Sequence, residues 1–316
     1  MKLRVAVTIA YLVLVALASY YFTSLWFELN YEYRGAPWDA LIKGSAATPF
    51  QYRMLIPWLV RTLTGIRVAG KELVSARSLL FWIQCGSTFL LVLAFRAYLR
   101  FFMERRIAGI LSMSVFLALP YNLILDRVLA LRYPYDIPSI LFFTLGLIVI
   151  YRKNWLLFYP LFIISTFNRE TSCFLTVIYF SVAVGREKWS SLSLHVLAQL
   201  LIWCAIKRWL YLVYLSNPGD ALCLWNIRSN IDILTQPRAY PLLLSNLCYL
   251  WIPVLIYWRH IPDYFLRRTV AVIPVFFAFM FLVGNMWELR IYAELIPIVL
   301  SAFIIILKEL LKKGST

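Results

Sequence analysis

Apolar stretches of membrane length recur from one end of this chain to the other, and that recurrence limits the fold more than any other feature. They lie at about 5–27, 78–99, 107–124, 137–151, 155–167, 171–185, 192–215, 240–258, 269–284 and 291–307. A helix needs about 20 apolar residues to cross the hydrocarbon core, and inside lipid every backbone N–H and C=O must find a partner within the protein. The expectation is an all-α, polytopic membrane helix bundle of about ten transmembrane helices, one membrane domain over residues 1–316. Composition agrees. Only 15% of the residues are charged and 62% are hydrophobic, whereas a soluble domain carries about a quarter charged residues. A soluble enzyme, a secreted disulfide scaffold and a disordered chain are excluded. Cys85, Cys173, Cys204, Cys223 and Cys248 show no metal or redox spacing. Most of them lie in apolar segments, where cysteine acts as a small hydrophobe.

Orientation follows from the basic residues that flank the spans. The net charge is +16, and it sits between apolar runs rather than on one face, so no nucleic-acid partner is expected. Lys2 and Arg4; Arg100, Arg105 and Arg106; Arg152 and Lys153; Arg186 and Lys188; Arg259, Arg267 and Arg268; and Lys308, Lys312 and Lys313 mark every second connection. Both termini are therefore expected in the cytoplasm. Ala16-Leu17-Ala18 could be a cleavage site after a basic start, but the apolar run continues to Phe27, which favours an uncleaved anchor. The outer face is expected to carry a long first loop (28–77) and a second long loop (216–239). In the first loop, Trp58 to Arg77 mixes apolar and basic residues as interfacial helices do, with Gly65 and Gly70 dividing the stretch. Glu104, Glu187, Asp263 and Glu309 fall inside, and the other carboxylates fall on or near the outer side. Anchoring does not explain that excess, so the active face is expected outward; no Asn-x-Ser/Thr sequon occurs, which fits a bacterial cytoplasmic membrane.

Certain charges share one depth. At about 1.5 Å per helical residue, Asp136, Arg169, Arg290 and Glu294 stand roughly 21–27 Å from the inner anchors. In a core of about 30 Å they lie just below the outer boundary. Contact with lipid there costs up to about 2.5–3.5 kcal/mol, so these groups should face a polar cavity inside the bundle. Three motifs share this level: Arg132-Tyr133-Pro134-Tyr135-Asp136, Asn168-Arg169-Glu170-Thr171, and Glu288-Leu289-Arg290-Ile291-Tyr292 with Glu294. A fourth, Pro49-Phe50-Gln51-Tyr52-Arg53, ends the polar part of the first loop. The arginines and carboxylates could pair with one another and hold helix ends together. Alternatively, the arginines bind a phosphate bidentately while a carboxylate acts as base. Lys207 and Arg208 are open between snorkelling outward and touching a ligand. His195, alone near the inner end of a span, reads as a packing residue.

An outward cavity with a cationic clamp, open to lipid, suits a polyprenyl-phosphate-linked substrate. Arginines would stabilise the departing phosphate and a carboxylate would take the acceptor's proton. Asp39, within Gly35-Ala36-Pro37-Trp38-Asp39, is the expected base, with Glu28 and Glu32 as alternatives. In these features the chain resembles the GT-C superfamily of multi-spanning glycosyltransferases: an acidic first outer loop, Pro49-Phe50-Gln51-Tyr52-Arg53, Tyr135-Asp136, Asn168-Arg169-Glu170-Thr171 and Glu288-Leu289-Arg290. The paired acidic residues common in that superfamily's first loop are absent. The resemblance implies an inverting sugar transfer from a polyprenyl phosphate donor to a glycan, lipid or protein acceptor. The substrate-binding set would be Tyr52, Arg53, Arg132, Tyr135, Asp136, Asn168, Arg169, Glu170, Glu288, Arg290, Tyr292 and Glu294. No metal or other cofactor is implied. The competing expectation is a transporter or flippase for a lipid-linked saccharide or an organic anion, which would show broken helices and a polar path to both faces.

Overall fold

The computed structural model describes the main chain of residues 2–65, 67–68, 71–72, 74–125, 129–219 and 223–314. It is all-helical apart from two two-residue strands. In order, the elements are α1 (Lys2–Leu29), α2 (Trp38–Lys43), α3 (Leu55–Thr64), β1 (Arg67–Val68), β2 (Lys71–Glu72), α4 (Ala76–Leu99), α5 (Arg105–Leu111), α6 (Val115–Leu123), α7 (Asp136–Tyr151), α8 (Trp155–Asn168) and α9 (Cys173–Ala183). Then follow α10 (Trp189–Val213), α11 (Ile227–Leu234), α12 (Tyr240–Ser245), α13 (Trp251–Tyr257), α14 (Tyr264–Val270), α15 (Val272–Val283) and α16 (Ile296–Gly314). Among the described residues, six helical stretches are long and apolar enough to cross a membrane: Val5–Leu29, Ala76–Leu99, Arg105–Leu123, Trp189–Val213, Tyr264–Val283 and Leu289–Lys312. A bent pair, Pro237–Tyr249 with Trp251–His260, would make seven. The chain thus has the make-up of a multi-pass membrane protein. The apolar segments of α7, α8 and α9 are helical but shorter; the 16 residues of α7 reach roughly 24 Å. No break interrupts α1 at Ala16-Leu17-Ala18.

Hydrophobicity alone does not say which helix is central, but burial does. Most of α7 is buried, between α4 on one side and α8 on the other, and α16 packs nearby. At Gly146 a Cβ would meet the methyls of Leu175 at 2.6 Å, so the missing side chain is what lets α9 come close to α7. In contrast α1 and α10 leave long apolar rows exposed, among them Leu14, Leu17, Leu194, Leu197 and Leu201. In a membrane protein such rows face lipid.

The bent pair turns by 68° because Leu247, Cys248 and Tyr249 all take positive φ (53°, 59° and 62°). Left-handed non-glycine residues are costly and need outside support. Buried Asn122 of α6 supplies it. Its Nδ2 donates to Asn246 Oδ1 (2.6 Å) and to the Leu289 carbonyl (2.8 Å), and its Oδ1 accepts from Leu247 N (3.1 Å). One side chain therefore ties α6 to both the bend and the start of the last span. Asn122→Ala is expected to destabilise by about 2–3 kcal/mol, the penalty of leaving buried polar groups unpaired. A thermal midpoint in detergent unchanged from wild type would refute that.

In the first long loop, α3 ends at Gly65 as expected, with Trp58 exposed and Ile56, Pro57 and Val60 buried. Beyond it β1 and β2 pair antiparallel, where a second helix was expected. Gly70, expected to divide this stretch, lies outside the described residues. The long first and second loops are stitched together. Asn217 Nδ2 donates to the carbonyls of Gly44 (2.9 Å) and Ala46 (2.8 Å), and Thr48 N to that of Pro218 (2.8 Å). Gly219, at φ +99°, has no room for a Cβ, which would lie 2.6 Å from the Thr48 carbonyl oxygen. The second loop contains an amphipathic helix, α11, whose Asn230 anchors it to the end of α15 through the Phe281 and Gly284 carbonyls.

At the opposite end of the bundle, His195 stacks on Trp155 (centroids 4.3 Å apart), with Nδ1 2.7 Å from Tyr159 OH, a packing role as expected. Beside it, Glu187 accepts from Lys153 Nζ (2.7 Å) and Tyr179 OH (2.8 Å). Burial pushes the Glu187 carboxyl up, but the bonds from Lys153 and Tyr179 outweigh it and hold the group below its ordinary value. A depressed carboxylate contributes stability above its unfolded pKa of about 4.3 and loses it as pH falls through the folded value. Glu187→Gln is expected to flatten that acid limb. At neutral pH it should cost no more than about 1 kcal/mol, because Lys153 is solvent-facing. Thermal unfolding followed from about pH 7 down to about pH 3 reads both effects.

Candidate functional site

The four motifs meet where α7 and α9 begin. Asp136 opens α7, where the positive end of the helix favours a carboxylate. At Arg169 the chain leaves α8 in an extended conformation (φ −160°, ψ 141°), and Glu170–Ser172 then form a 3-10 turn into α9. Asn168 fixes this break by donating to the Tyr135 carbonyl at 3.0 Å. The third motif lies on a seven-residue 3-10 stretch, Leu289–Leu295, longer than such turns usually run.

A lower layer is fully enclosed. Arg169 Nη1 lies 3.3 Å from Glu294 Oε1 and 3.6 Å from Asp136 Oδ1. Arg290 Nη1 donates to Asp136 Oδ1 at 3.1 Å, while its Nη2 pairs with Glu288. Thr171 Oγ1 donates to Glu294 Oε1 at 2.5 Å. Asp136, Arg169, Arg290 and Glu294 are all buried. Among the described residues, Asp136 Oδ2, Glu294 Oε2 and Arg169 Nη1 are buried without a hydrogen bond, so Arg169 meets these carboxylates as an ion pair only. A small cavity lined by Ser139, Phe143, Ser165, Arg169, Thr171, Ser172, Leu175 and Glu294 adjoins this layer.

An upper layer, beside the first loop, is partly exposed. Arg53, just after the first-loop 3-10 turn, forks onto both oxygens of Glu170, and its Nη1 donates to Tyr135 OH at 2.8 Å. Burial works against the Arg53 charge, but Glu170 and Tyr135 outweigh it and hold the guanidinium protonated, above its ordinary value. Burial also pushes the Tyr135 phenol up to about 12, despite the Arg53 and Arg290 charges, so its hydroxyl stays neutral. Tyr133 forms an aromatic wall, stacked on Phe50 (5.6 Å) and Tyr135 (5.2 Å), with the Arg290 guanidinium 4.0 Å from its ring centre. Lys207 of α10 reaches Glu170 Oε2 at 3.5 Å, and Trp203, one turn earlier, donates to the Glu170 carbonyl at 2.9 Å.

The strip Arg132–Asp136 divides its side chains. Arg132 turns to the first loop, pairing with Glu32 at 3.3 Å and lying 4.7 Å from the Trp38 ring. Glu32 also accepts from Trp38 N (2.9 Å), holding the start of α2. The backbone follows: Tyr31 N donates to the Ala130 carbonyl and Arg132 N to that of Tyr31, both at 3.0 Å. Asp39, on the first turn of α2, is exposed and has no ion pair or hydrogen bond of its side chain among the described residues. Glu28 is likewise exposed, at the end of α1.

The structure thus joins Arg53, Tyr135, Asp136, Asn168, Arg169, Glu170, Glu288, Arg290 and Glu294 in one contact network, while Arg132, an expected member, pairs away from it with Glu32 in the first loop. Two more expected members lie elsewhere. Tyr52 is buried toward Thr48 and Tyr211, and burial raises its phenol. Tyr292 packs on Phe277 (4.8 Å) in the core. Each is one or two residues from a site arginine on a tight turn, where a single step swings the side chain to another face. Trp203 enters without having been expected, and Tyr133 and Thr171, part of the motifs but not of the expected binding set, join as well. The spacing of Trp203 and Lys207, four apart on one helix face, is the signal that could have found the α10 contribution.

No known protein-family model, curated protein or solved structure matches this chain. The functional reading therefore rests on the geometry. Among the described residues, no three His, Cys, Asp or Glu side chains are grouped so as to hold a metal ion.

Proposed function

We propose that this protein is an extracytoplasmic membrane glycosyltransferase of GT-C-like type, moving a sugar from a polyprenyl-phosphate donor to a glycan, lipid or protein acceptor. In this reading all ten apolar segments cross a bacterial cytoplasmic membrane, both termini are cytoplasmic, and the short helices α7–α9 complete the bundle. One observation carries it: four arginine-bearing motifs, far apart in sequence, converge on one polar network that opens beside the first outer loop. Stapling helix ends accounts for the enclosed lower layer. It does not account for Arg53, which comes from a loop and meets a half-exposed carboxylate at the open side.

The proposed division of labour follows from exposure. Arg53 holds the phosphate, whose negative charge grows as the sugar departs. Asp39 is accessible and unencumbered, as a base for an incoming hydroxyl must be, whereas Glu32 is occupied by Arg132 and by the start of α2. Asp39→Asn is expected to lower transfer about 10²-fold without affecting protein level. Full activity in that variant would pass the role to Glu32, Glu28 or another carboxylate. The direct experiment supplies the purified protein, in lipid nanodiscs, with polyprenyl-phosphate sugars and measures released polyprenyl phosphate by mass spectrometry.

A second reading has its own observation. The helix breaks at Asn168–Ser172 and at Asn246–Tyr249, with charges buried beside the first, are features of transporters. Movement of a lipid-linked saccharide across vesicles without donor cleavage would favour it and reject the transferase.

A further inference from the structure

Arg53 and Lys207 converge on a single carboxylate. Arg53 Nε lies 3.2 and 3.1 Å from the two oxygens of Glu170, and Lys207 Nζ stands 3.5 Å from Oε2. Two cations facing one anion leave this corner with one positive charge in excess. The lower layer carries the opposite excess, with Asp136, Glu288 and Glu294 against Arg169 and Arg290, but its carboxylates pair with those two arginines, and Glu170 is the one carboxylate paired with Arg53 and Lys207 among the described residues. Lys207 is buried within α10, its side chain 10% exposed. An ammonium carries three donors, and among the described residues its one ion-pair partner is Glu170, at the long end of contact distance.

The three groups differ in how firmly they are held. Arg53 has a second anchor in Tyr135, through the hydroxyl and through the ring, whose centre is 4.8 Å from its guanidinium carbon. Lys207 is fixed by burial in a long helix. The Glu170 backbone is pinned by Trp203, but among the described residues its carboxylate hydrogen-bonds or ion-pairs with the two cations alone, and the side chain is 32% exposed. Glu170 is the member that can leave.

We propose that Arg53 and Lys207 form a phosphate site which Glu170 fills as a built-in competitor. The oxyanion of a phosphate ester displaces the carboxylate from between the two cations, and Glu170 turns to the open side. The exchange suits the chemistry, since carboxylate and phosphate use the same bidentate arginine geometry. It spares the buried lysine from ever standing unpaired, which for a charge inside a bundle is costly. A neutral lipid cannot drive it. The inference rests on the phosphate-binding part of the reading above, and adds Lys207 as a ligand and Glu170 as the group that closes the site when it is empty.

The test is a titration of the purified protein with farnesyl phosphate, farnesol and inorganic phosphate, read by calorimetry. Wild type should bind farnesyl phosphate and not farnesol. Binding of inorganic phosphate as tightly as the ester would assign a free anion, and dependence on the chain a lipid headgroup; both keep the site. Lys207→Met should weaken binding about tenfold or more, the loss of one charge-assisted hydrogen bond. Glu170→Gln should tighten it about tenfold by removing the competitor. Binding by folded Lys207→Met within about twofold of wild type overturns the proposal, as does a Glu170→Gln protein that binds no more tightly. Should Lys207→Met fail to fold, the Glu170→Gln result decides. Wild type that binds neither phosphate overturns the transferase reading as well. Wild type that binds while both variants are indifferent overturns only the Lys207–Glu170 site.

Discussion

Arg53→Gln is expected to lower sugar transfer by about 10²–10³-fold while leaving the protein folded. The size of the effect follows from where the charge sits. A donor aimed at a group whose negative charge grows in the transition state contributes most in a site with little water, and Arg53 is 12% exposed at the open side of the network. Its removal leaves Glu170 with Lys207, so the carboxylate keeps a cation and the loss of stability should be modest. Arg53→Lys keeps the charge but not the fork onto two oxygens, and should recover only part of the rate. Transfer rate and thermal midpoint measured together separate the outcomes. A rate within threefold of wild type in a folded Arg53→Gln protein would remove the phosphate role from Arg53.

The largest effect on stability is expected one layer lower. Arg169→Met should cost about 3–5 kcal/mol, because it leaves the buried Asp136 and Glu294 carboxylates without one of their cations. An uncompensated charge, rather than the lost attraction, makes this severe, so a second change should relieve it. In Arg169→Met with Glu294→Gln the remaining carboxylate, Asp136, still has Arg290 at 3.1 Å, and part of the stability should return. A double-mutant cycle on thermal midpoints and on the monodisperse yield in detergent reads the coupling. If the single variant unfolds at the wild-type temperature, the lower layer is not an ion-paired core.

These two arginines show how much was legible beforehand. A charge well inside an apolar run has few places to go, so depth alone brought Arg169, Asp136, Arg290 and Glu294 to one level before any contact was known. Direction around the helix was not legible. Tyr52 and Tyr292 sit in the same motifs as Arg53 and Arg290, yet both point into packing. A step of one residue on a helix turns the side chain by about 100°, and on a 3-10 turn by about 120°. Which motif residue faces the site therefore depends on where each helix breaks. Lys207 illustrates the same limit from the other side. A lysine on an apolar helix can snorkel or pair, and only the packing of α10 against the Glu170 turn decides that it pairs.

The sequence by itself determined the class of molecule. Recurrent apolar runs with few charges can be satisfied only by helices that bond their own backbone, and the charges interrupting them have to meet inside the bundle. The tertiary structure decided the rest: that Asn122 holds a left-handed bend, that the strip Arg132–Asp136 splits between the first loop and the ion network, and that Lys207 shares Glu170 with Arg53. The physical reason is range. Hydropathy and charge act residue by residue and are written along the chain. A pairing between groups more than a hundred residues apart, such as Arg53 and Glu170, exists only once the packed helices bring them into contact.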